Sequence, residues 1–136
     1  MQSEGWITGG GVLAPEHDAA TAHWGGKWRI PTQQELQNLV DKCDWSPATV
    51  NGVDGFEVRG RGGYASASIF LPCSGYGYGT SLTYAGSYGC YWSSVPYSDD
   101  NYAWDLYFCS GCHGTYNDYG GRYYGRSVRP VQGFTE

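Results

Sequence analysis

Residues 32–43 read Thr-Gln-Gln-Glu-Leu-Gln-Asn-Leu-Val-Asp-Lys-Cys, and they contain the clearest local signal in the chain. Thr32 followed three residues later by Glu35 is the pattern of a capping box, in which each side chain satisfies a backbone N–H group at the start of a helix. A helix is therefore predicted to begin here and to end before Ser46-Pro47. Its apolar residues recur at helical spacing along one stripe, which predicts that the helix packs on a sheet. They are Leu36, Leu39, Val40 and Cys43.

Other segments predict one more helix and several strands. Residues 15–24 predict a short helix that ends at Gly25-Gly26. From Gly52 onward the apolar period becomes two, which is the period of strands, and Gly, Ser, Asn and Pro separate the apolar runs. Residues 75–79, Gly-Tyr-Gly-Tyr-Gly, are predicted to form a glycine-hinged aromatic loop. The predicted strands lie near residues 56–59, 68–71, 89–93, 103–108 and 127–131.

The composition predicts one small domain and excludes several classes of protein. The chain has 136 residues, of which 22 are Gly, 13 are Tyr and 6 are Trp, and only 15% are charged. This length supports a single core, and the scarcity of charge excludes a coiled coil or a helical bundle. The formal charge of -5, with no lysine after Lys42, argues against a nucleic-acid partner. No apolar run approaches the length of a membrane-spanning helix, so membrane insertion is not expected.

The predicted strand at residues 103–109 carries a two-faced pattern. Successive side chains of a strand point to opposite faces, so residues two apart share a face. The pattern predicts that Trp104, Leu106 and Phe108 face the core. The intervening residues, Asp105, Tyr107 and Cys109, are predicted to face outward.

Four motifs follow one another along the chain. They are Gly-Gly-Lys-Trp-Arg-Ile-Pro-Thr at 25–32, Ile-Phe-Leu-Pro at 69–72, Tyr-Trp-Ser-Ser at 91–94 and Ser-Val-Arg-Pro-Val at 127–131. Together they resemble the Fibrobacter succinogenes-type major paralogous domain, a bacterial branch of the C-type lectin fold. The resemblance spans about residues 17–133. It implies a single α+β, C-type-lectin-like domain over residues 1–136, with a mixed antiparallel sheet, one or two helices and long loops.

The resemblance also implies how this scaffold is organised. The two ends of the domain meet in a sheet, a helix packs against it, and long loops lie on one side. Trp28, Phe70 and Trp92 are expected to supply buried area, because each large aromatic contributes about 2–3 kcal/mol when fully buried.

Residues 97–126 are similar to the variable region of target proteins that retroelements diversify in bacteria and phages. In such regions AAY codons are randomised at adenine, which yields Asn, Asp, His, Tyr, Ser, Gly, Cys and others but never Lys, Glu, Gln, Met or Trp. Of the 30 residues here, 23 are Asn, Asp, His, Tyr, Ser, Gly or Cys. Trp104 is the one residue in this stretch that such a codon cannot yield, and its predicted place on the core face fits a position that does not vary.

This second resemblance implies a displayed, ligand-binding set of residues near the C-terminus. Tyr with Ser, Gly and Asn is also the mixture found in antibody paratopes, where Tyr gives large contact area at low entropic cost. We expect a monomer that binds a protein or glycan on another cell or particle, with no cofactor and no catalysis, on a phage particle or bacterial cell surface. The displayed set is Asp105, Tyr107, Cys109, Cys112, His113, Gly114, Tyr116, Asn117, Asp118, Tyr119, Arg122, Tyr123, Tyr124 and Arg126.

The cysteines leave several alternatives open. Residues 109–113 read Cys-Ser-Gly-Cys-His, the spacing of a c-type haem attachment site, although they follow a predicted strand rather than adjoin a helix. A closed zinc site needs four ligands, and His113 is the only further one nearby. A thiol-based enzyme would need a base or metal beside the thiols, and none accompanies them. A disulfide between Cys109 and Cys112, or a pair among Cys43, Cys73 and Cys90, is compatible with the sequence.

Calcium-dependent sugar binding is the other alternative. Asp99-Asp100-Asn101 and Asn117-Asp118 offer the oxygen ligands that calcium prefers. The Glu-Pro-Asn or Gln-Pro-Asp tripeptide and the Trp-Asn-Asp motif of the sugar-binding lectins are missing from the sequence. The favoured interpretation is therefore a binding module without a metal.

Overall fold

The fold is known from a computed structural model that describes residues 5–99, 101–109, 112–117 and 121–133. The helices are α1 (Ala19–Trp24), which follows a 3-10 turn at Pro15–His17, and α2 (Gln33–Lys42). The strands are β1 (Trp28–Arg29), β2 (Asp44–Val50), β3 (Val53–Arg59), β4 (Ser68–Pro72), β5 (Tyr76–Tyr78), β6 (Ser81–Thr83), β7 (Tyr88–Pro96), β8 (Ala103–Cys109), β9 (Cys112–Asn117) and β10 (Val131–Gln132). Within the described residues they form small antiparallel sheets, so the predicted α+β class is confirmed and agrees with a C-type-lectin-like fold.

Helix α2 begins and packs as its sequence predicts. The Glu35 backbone N–H donates to the Thr32 hydroxyl at 3.2 Å, and the Thr32 N–H donates to the Glu35 carboxylate at 2.8 Å, which completes the capping box. Leu36 is buried, and the other residues of its stripe pack against the core from the edge. Helix α1 and the turn before it occupy the region of the second predicted helix.

The core lies between α2 and the two three-stranded sheets, β2-β3-β4 and β7-β8-β9. Phe108 on β8 is fully buried, with 0% of its surface exposed. Its ring lies 5.4 Å from the ring of Phe56, 5.3 Å from that of Trp45 and 5.8 Å from that of Tyr91, measured between centroids. Three residues expected to be core, Trp28, Phe70 and Trp92, are only half-buried and lie outside this cluster.

Strand β2 was not predicted, because Ser46-Pro47 was interpreted as the end of the helix and strands were predicted only from Gly52 onward. The strand lies at the edge of its sheet, next to β3 alone, and an edge strand tolerates a proline because one row of its N–H groups faces outward. Asn51 and Gly52, at the tip of the β2-β3 hairpin, both have positive φ, 51° and 78°. That pair is the signature of a type I′ hairpin turn.

The two ends of the described chain meet as the resemblance implied. Arg29 pairs with Val131 and Trp28 with Gln132 in the antiparallel pair β1-β10. The prediction of a strand at residues 127–131 is wrong for most of these residues, because only Val131 belongs to a strand. Ser127 instead forms an isolated parallel bridge with Tyr91 on β7. No helix among the described residues is long and apolar enough to cross a membrane.

The start of α2 makes the domain sensitive to acid. Arg29 donates two hydrogen bonds to Glu35, at 2.7 and 2.6 Å, and these bonds, together with the N–H of Thr32, lower the pKa of Glu35 from its ordinary value of 4.5. A carboxylate with a lowered pKa stabilises the fold above 4.5, and that contribution is lost as the pH falls through the folded-state pKa. We expect Glu35→Gln to lose less stability than the wild type between neutral pH and about pH 3.5, measured by urea denaturation. Parallel acid profiles would contradict this expectation.

Candidate functional site

The outward face of strand β8 is covered at Asp105, which corrects the predicted display of this residue. Leu106 and Phe108 belong to the core as predicted, whereas Trp104 is only half-buried and lies outside the core cluster. Asp105 was expected to face outward. Only 2% of Asp105 is exposed, because the guanidinium of Arg126 covers its carboxylate. The Arg126 side chain is itself only 7% exposed. Neither residue is displayed, and the prediction is wrong for both.

The segment that carries Arg126 is tied to the sheet by its backbone. On one side, Gly77 on β5 and Gly125 donate N–H groups to each other's carbonyl oxygens, at 2.6 and 2.8 Å. On the other side, Ser127 accepts from the Trp92 N–H at 3.0 Å and donates to the Cys90 carbonyl at 3.1 Å. Residues 121–127 therefore run between the β5-β6 hairpin and β7, and Arg126 reaches from there to Asp105.

A cluster of tyrosine rings forms around this segment, and we call it the tyrosine surface. Each ring contacts at least one other, with centroids between 4.6 and 6.0 Å apart. Tyr123 is 68% exposed, Tyr78 is 55% exposed and Tyr84 is 52% exposed, while the other rings are half-buried. The contacts run in order through Tyr107, Tyr88, Tyr84, Tyr76 and Tyr124, and end at Tyr123 and Tyr78.

Sequence reasoning identified only part of this surface. Tyr107, Tyr123 and Tyr124 belong to the predicted displayed set. The remaining members come from residues 76–88, of which the Gly-Tyr-Gly-Tyr-Gly stretch was predicted to be a loop. That stretch instead contributes strand β5 to a two-stranded hairpin with β6. The alternation of Gly and Tyr was the sequence signal that could have identified these members. Glycine lets another segment approach the backbone closely, and tyrosine is enriched in binding surfaces.

The rest of the displayed set is only partly within the described residues. Cys109, Gly114 and Arg122 are half-buried, and Arg122 donates its backbone N–H to the Asn101 carbonyl at 3.0 Å. Strand β9 contains Cys112, His113, Tyr116 and Asn117, whose backbone pairs with β8 and whose side chains lie outside the description. Asp118 and Tyr119 lie outside the described residues altogether.

Two hydroxyls of the tyrosine surface, those of Tyr76 and Tyr123, have a raised pKa and are therefore neutral under physiological conditions. Burial raises the pKa of Tyr76 above its ordinary value of 10. The pKa of Tyr123 is raised as well, first by its hydrogen bond with Tyr124 and then by burial. A neutral phenol both donates and accepts hydrogen bonds. The surface thus offers large apolar rings with adaptable polar tips and little charge.

Within the part of the chain that the structure describes, the cysteines differ in whether they form a disulfide. Cys43, Cys73 and Cys90 form no disulfide with one another, so the alternative of a pair among them is not realised. Cys109 takes part in a disulfide, and a sulfur in that state is not available to bond a haem vinyl group or a zinc ion. Burial raises the pKa of the Cys73 thiol, which lowers its reactivity. Within the described ranges, no three His, Cys, Asp or Glu residues lie close enough together to hold a metal.

A cleft of about 350 Å³ lies apart from the tyrosine rings, and its lining includes Trp6, His17 and Trp92. Both of its serine hydroxyls are engaged by backbone groups. Ser93 donates to the Val95 carbonyl at 3.3 Å, and Ser94 donates to that of Pro31 at 3.4 Å. The cleft offers an apolar wall rather than a set of converging reactive groups.

The structure is a small α+β domain that agrees with a C-type-lectin-like fold, with an aromatic, weakly charged patch formed by the second half of the chain. The family model described as the Lcl C-terminal domain matches residues 13–131, and the chain belongs to that family. No curated protein and no solved structure matches the chain. The finer resemblance to the Fibrobacter succinogenes-type domain stays a prediction.

Proposed function

We propose that this domain is a ligand-binding module and that the tyrosine surface meets a protein or glycan on another cell or particle. The observation that carries the proposal is the continuous row of tyrosine rings, three of them more than half exposed. Exposed apolar patches of this kind on small domains mark binding sites more often than idle surface. The proposed role is binding by a monomer, without catalysis and without a cofactor, on a phage particle or bacterial cell surface.

We also propose that retroelement mutagenesis diversifies part of this surface. Tyr107, Tyr123 and Tyr124 lie within residues 97–126, and tyrosine is reachable from a randomised AAY codon. Leu106 and Phe108, the two sequence neighbours of Tyr107, belong to the core and offer nothing to a ligand. The neighbouring DNA tests the proposal. A near-copy of the segment for residues 97–126, with AAY codons at the displayed positions and a reverse transcriptase beside it, would support diversification, and its absence would remove that claim.

Single tyrosine truncations test the binding role. We expect Tyr123→Ala and Tyr78→Ala to leave the fold intact, because both rings are more than half exposed. Each should weaken binding by about 1–3 kcal/mol, the usual cost of truncating an aromatic anchor. The measurement is binding of the fluorescent domain to a glycan array and to intact bacterial cells, followed by titration on whichever target binds.

The matched control is Tyr64→Ala, because Tyr64 is 78% exposed and belongs to no ring contact of the tyrosine surface. It should bind as the wild type does. Loss of binding in the control, or full binding by both surface variants, would contradict the proposal. Binding that a chelator abolishes would instead indicate a calcium-dependent lectin.

A further inference from the structure

An ion pair closed off from solvent lies behind the tyrosine surface. One terminal nitrogen of Arg126 is 2.5 Å from the Asp105 Oδ2 atom, and both side chains are more than nine-tenths buried. Burying two charges costs so much desolvation free energy that such a pair is often no more stabilising than apolar residues of the same size. Stability alone therefore gives a weak reason for a charged pair at this place.

The guanidinium of Arg126 also faces three aromatic rings. Its central carbon lies 5.1 Å from the ring centroid of Trp92 and 5.7 Å from those of Tyr76 and Tyr124. These distances are within the range of cation–π attraction, which strengthens when water is excluded. Trp92 and Asp105 are direct cross-strand partners on β7 and β8, so two neighbouring positions of the sheet both contact the guanidinium.

Tyr76 and Tyr124 are the two rings that join the halves of the tyrosine surface. Their centroids lie 5.1 Å apart in an edge-on contact. Tyr76 continues to Tyr84 on one side, and Tyr124 continues to Tyr78 and Tyr123 on the other. A change in the orientation of either ring would therefore pass to the exposed tyrosines.

We propose that Asp105 and Arg126 are positioning residues of the tyrosine surface. Asp105 holds the guanidinium in place, and the guanidinium sets the orientation of Tyr76 and Tyr124. The consequence for recognition rests on the binding role proposed above. The ion pair then affects a ligand only through the tyrosines. Asp105 and Arg126 are therefore structural positions, although both were predicted to belong to the displayed set.

Three variants distinguish the positioning of the tyrosine rings from a mere contribution to the stability of the fold. Lysine keeps the charge of Arg126 but lacks the planar group that stacks on rings and forks around a carboxylate. Asparagine keeps the shape of Asp105 and loses its charge. The double variant Asp105→Leu with Arg126→Met removes both charges, and apolar replacement of a whole buried ion pair usually preserves the fold. The matched control is Arg59→Lys, in an exposed pair with Glu57.

The experiment measures the tyrosines directly and needs no ligand. Far-ultraviolet circular dichroism reports the fold, and near-ultraviolet circular dichroism reports the packing of the rings. Nitration by tetranitromethane, located by peptide mass spectrometry, reports the access to each phenol. We expect Arg126→Lys, Asp105→Asn and the double variant to fold with a weakened near-ultraviolet signal. Nitration of Tyr76 and Tyr124 should accelerate about threefold to tenfold, which matches the strength of such cation–π contacts.

The control variant should keep the wild-type spectrum, and Tyr64 should react at the same rate in every protein. The proposal is overturned if the folded variants keep the wild-type near-ultraviolet signal and nitration rates. If a single variant does not fold, the double variant decides by the same measurements, and a double variant that cannot fold also contradicts a positioning role. Failure of the Tyr78 and Tyr123 truncations to affect binding would overturn the binding function and leave this result standing.

Discussion

Gly89→Ala is expected to destabilise the domain by about 3 kcal/mol, the upper part of the range for overpacking a core. A Cβ atom at this position would lie 2.0 Å from the Cζ atom of Phe108 and 2.2 Å from its Cε2 atom. The two residues are direct cross-strand partners, and the phenyl ring covers the glycine. Because Phe56, Trp45 and Tyr91 surround that ring, it has nowhere to move. Urea denaturation monitored by tryptophan fluorescence measures the loss.

Two further variants make this expectation specific. Gly9→Ala is the matched control, because no atom lies within 4 Å of a Cβ built there. Phe108→Leu removes the far end of the ring, so adding Gly89→Ala to that variant should cost less than adding it to the wild type. Equal costs in the two backgrounds would show that the clash with Phe108 is not the cause.

Asp18→Ala is expected to cost about 3 kcal/mol, since it combines the loss of a helix cap with an unsatisfied buried donor. Asp18 is buried and accepts three backbone hydrogen bonds. The N–H groups of Ala20 and Thr21, at 2.9 and 3.1 Å, belong to the first turn of α1. The N–H of Ile30, at 2.9 Å, follows β1. The Asp18 carboxylate therefore links helix α1 to the backbone directly after strand β1.

Substitution by asparagine separates these contributions. Asp18→Asn keeps one side-chain oxygen and replaces the other by an amide group, which donates hydrogen bonds and does not accept them. We therefore expect this variant to be less stable than the wild type but more stable than Asp18→Ala. Asp54→Ala is the control, because the exposed Asp54 accepts one side-chain bond, from Thr49 at 2.7 Å. Denaturation midpoints for the three variants measure the differences. A loss for Asp18→Ala no larger than that of the control would contradict the expectation.

The parts of the fold that were predictable from sequence are those with local causes. Helix α2 depends on Thr32 and Glu35, which contact each other within one turn, and on a stripe of fixed spacing. The hairpin between β2 and β3 also had a local signal in Asn51-Gly52, although no strand before Gly52 was predicted. A proline excludes a central strand only, and nothing in the local sequence tells an edge strand from a central one.

The candidate site was less predictable because distant segments build it. The alternation along β8 correctly predicts that Leu106 and Phe108 are buried together. It says nothing about the other face, where Arg126 returns from later in the chain to cover Asp105. Likewise, Tyr76 and Tyr124 become neighbours only because Gly77 and Gly125 bind each other's backbone. A period of two in the sequence shows that a strand has two different faces. Whether the more polar face is exposed to solvent depends on the tertiary structure.

The pairing of β1 with β10 has a consequence for biosynthesis. Arg29 leaves the ribosome well before its partner Val131, because residues 30–130 lie between them. The hairpins of the middle region can form as they emerge, because their partners are close in sequence. Closing so long a loop carries a larger entropic cost, so it comes late. Strand β1 of the nascent domain therefore stays unpaired until Val131 has emerged, and a truncation before Val131 leaves that strand edge open to aggregation.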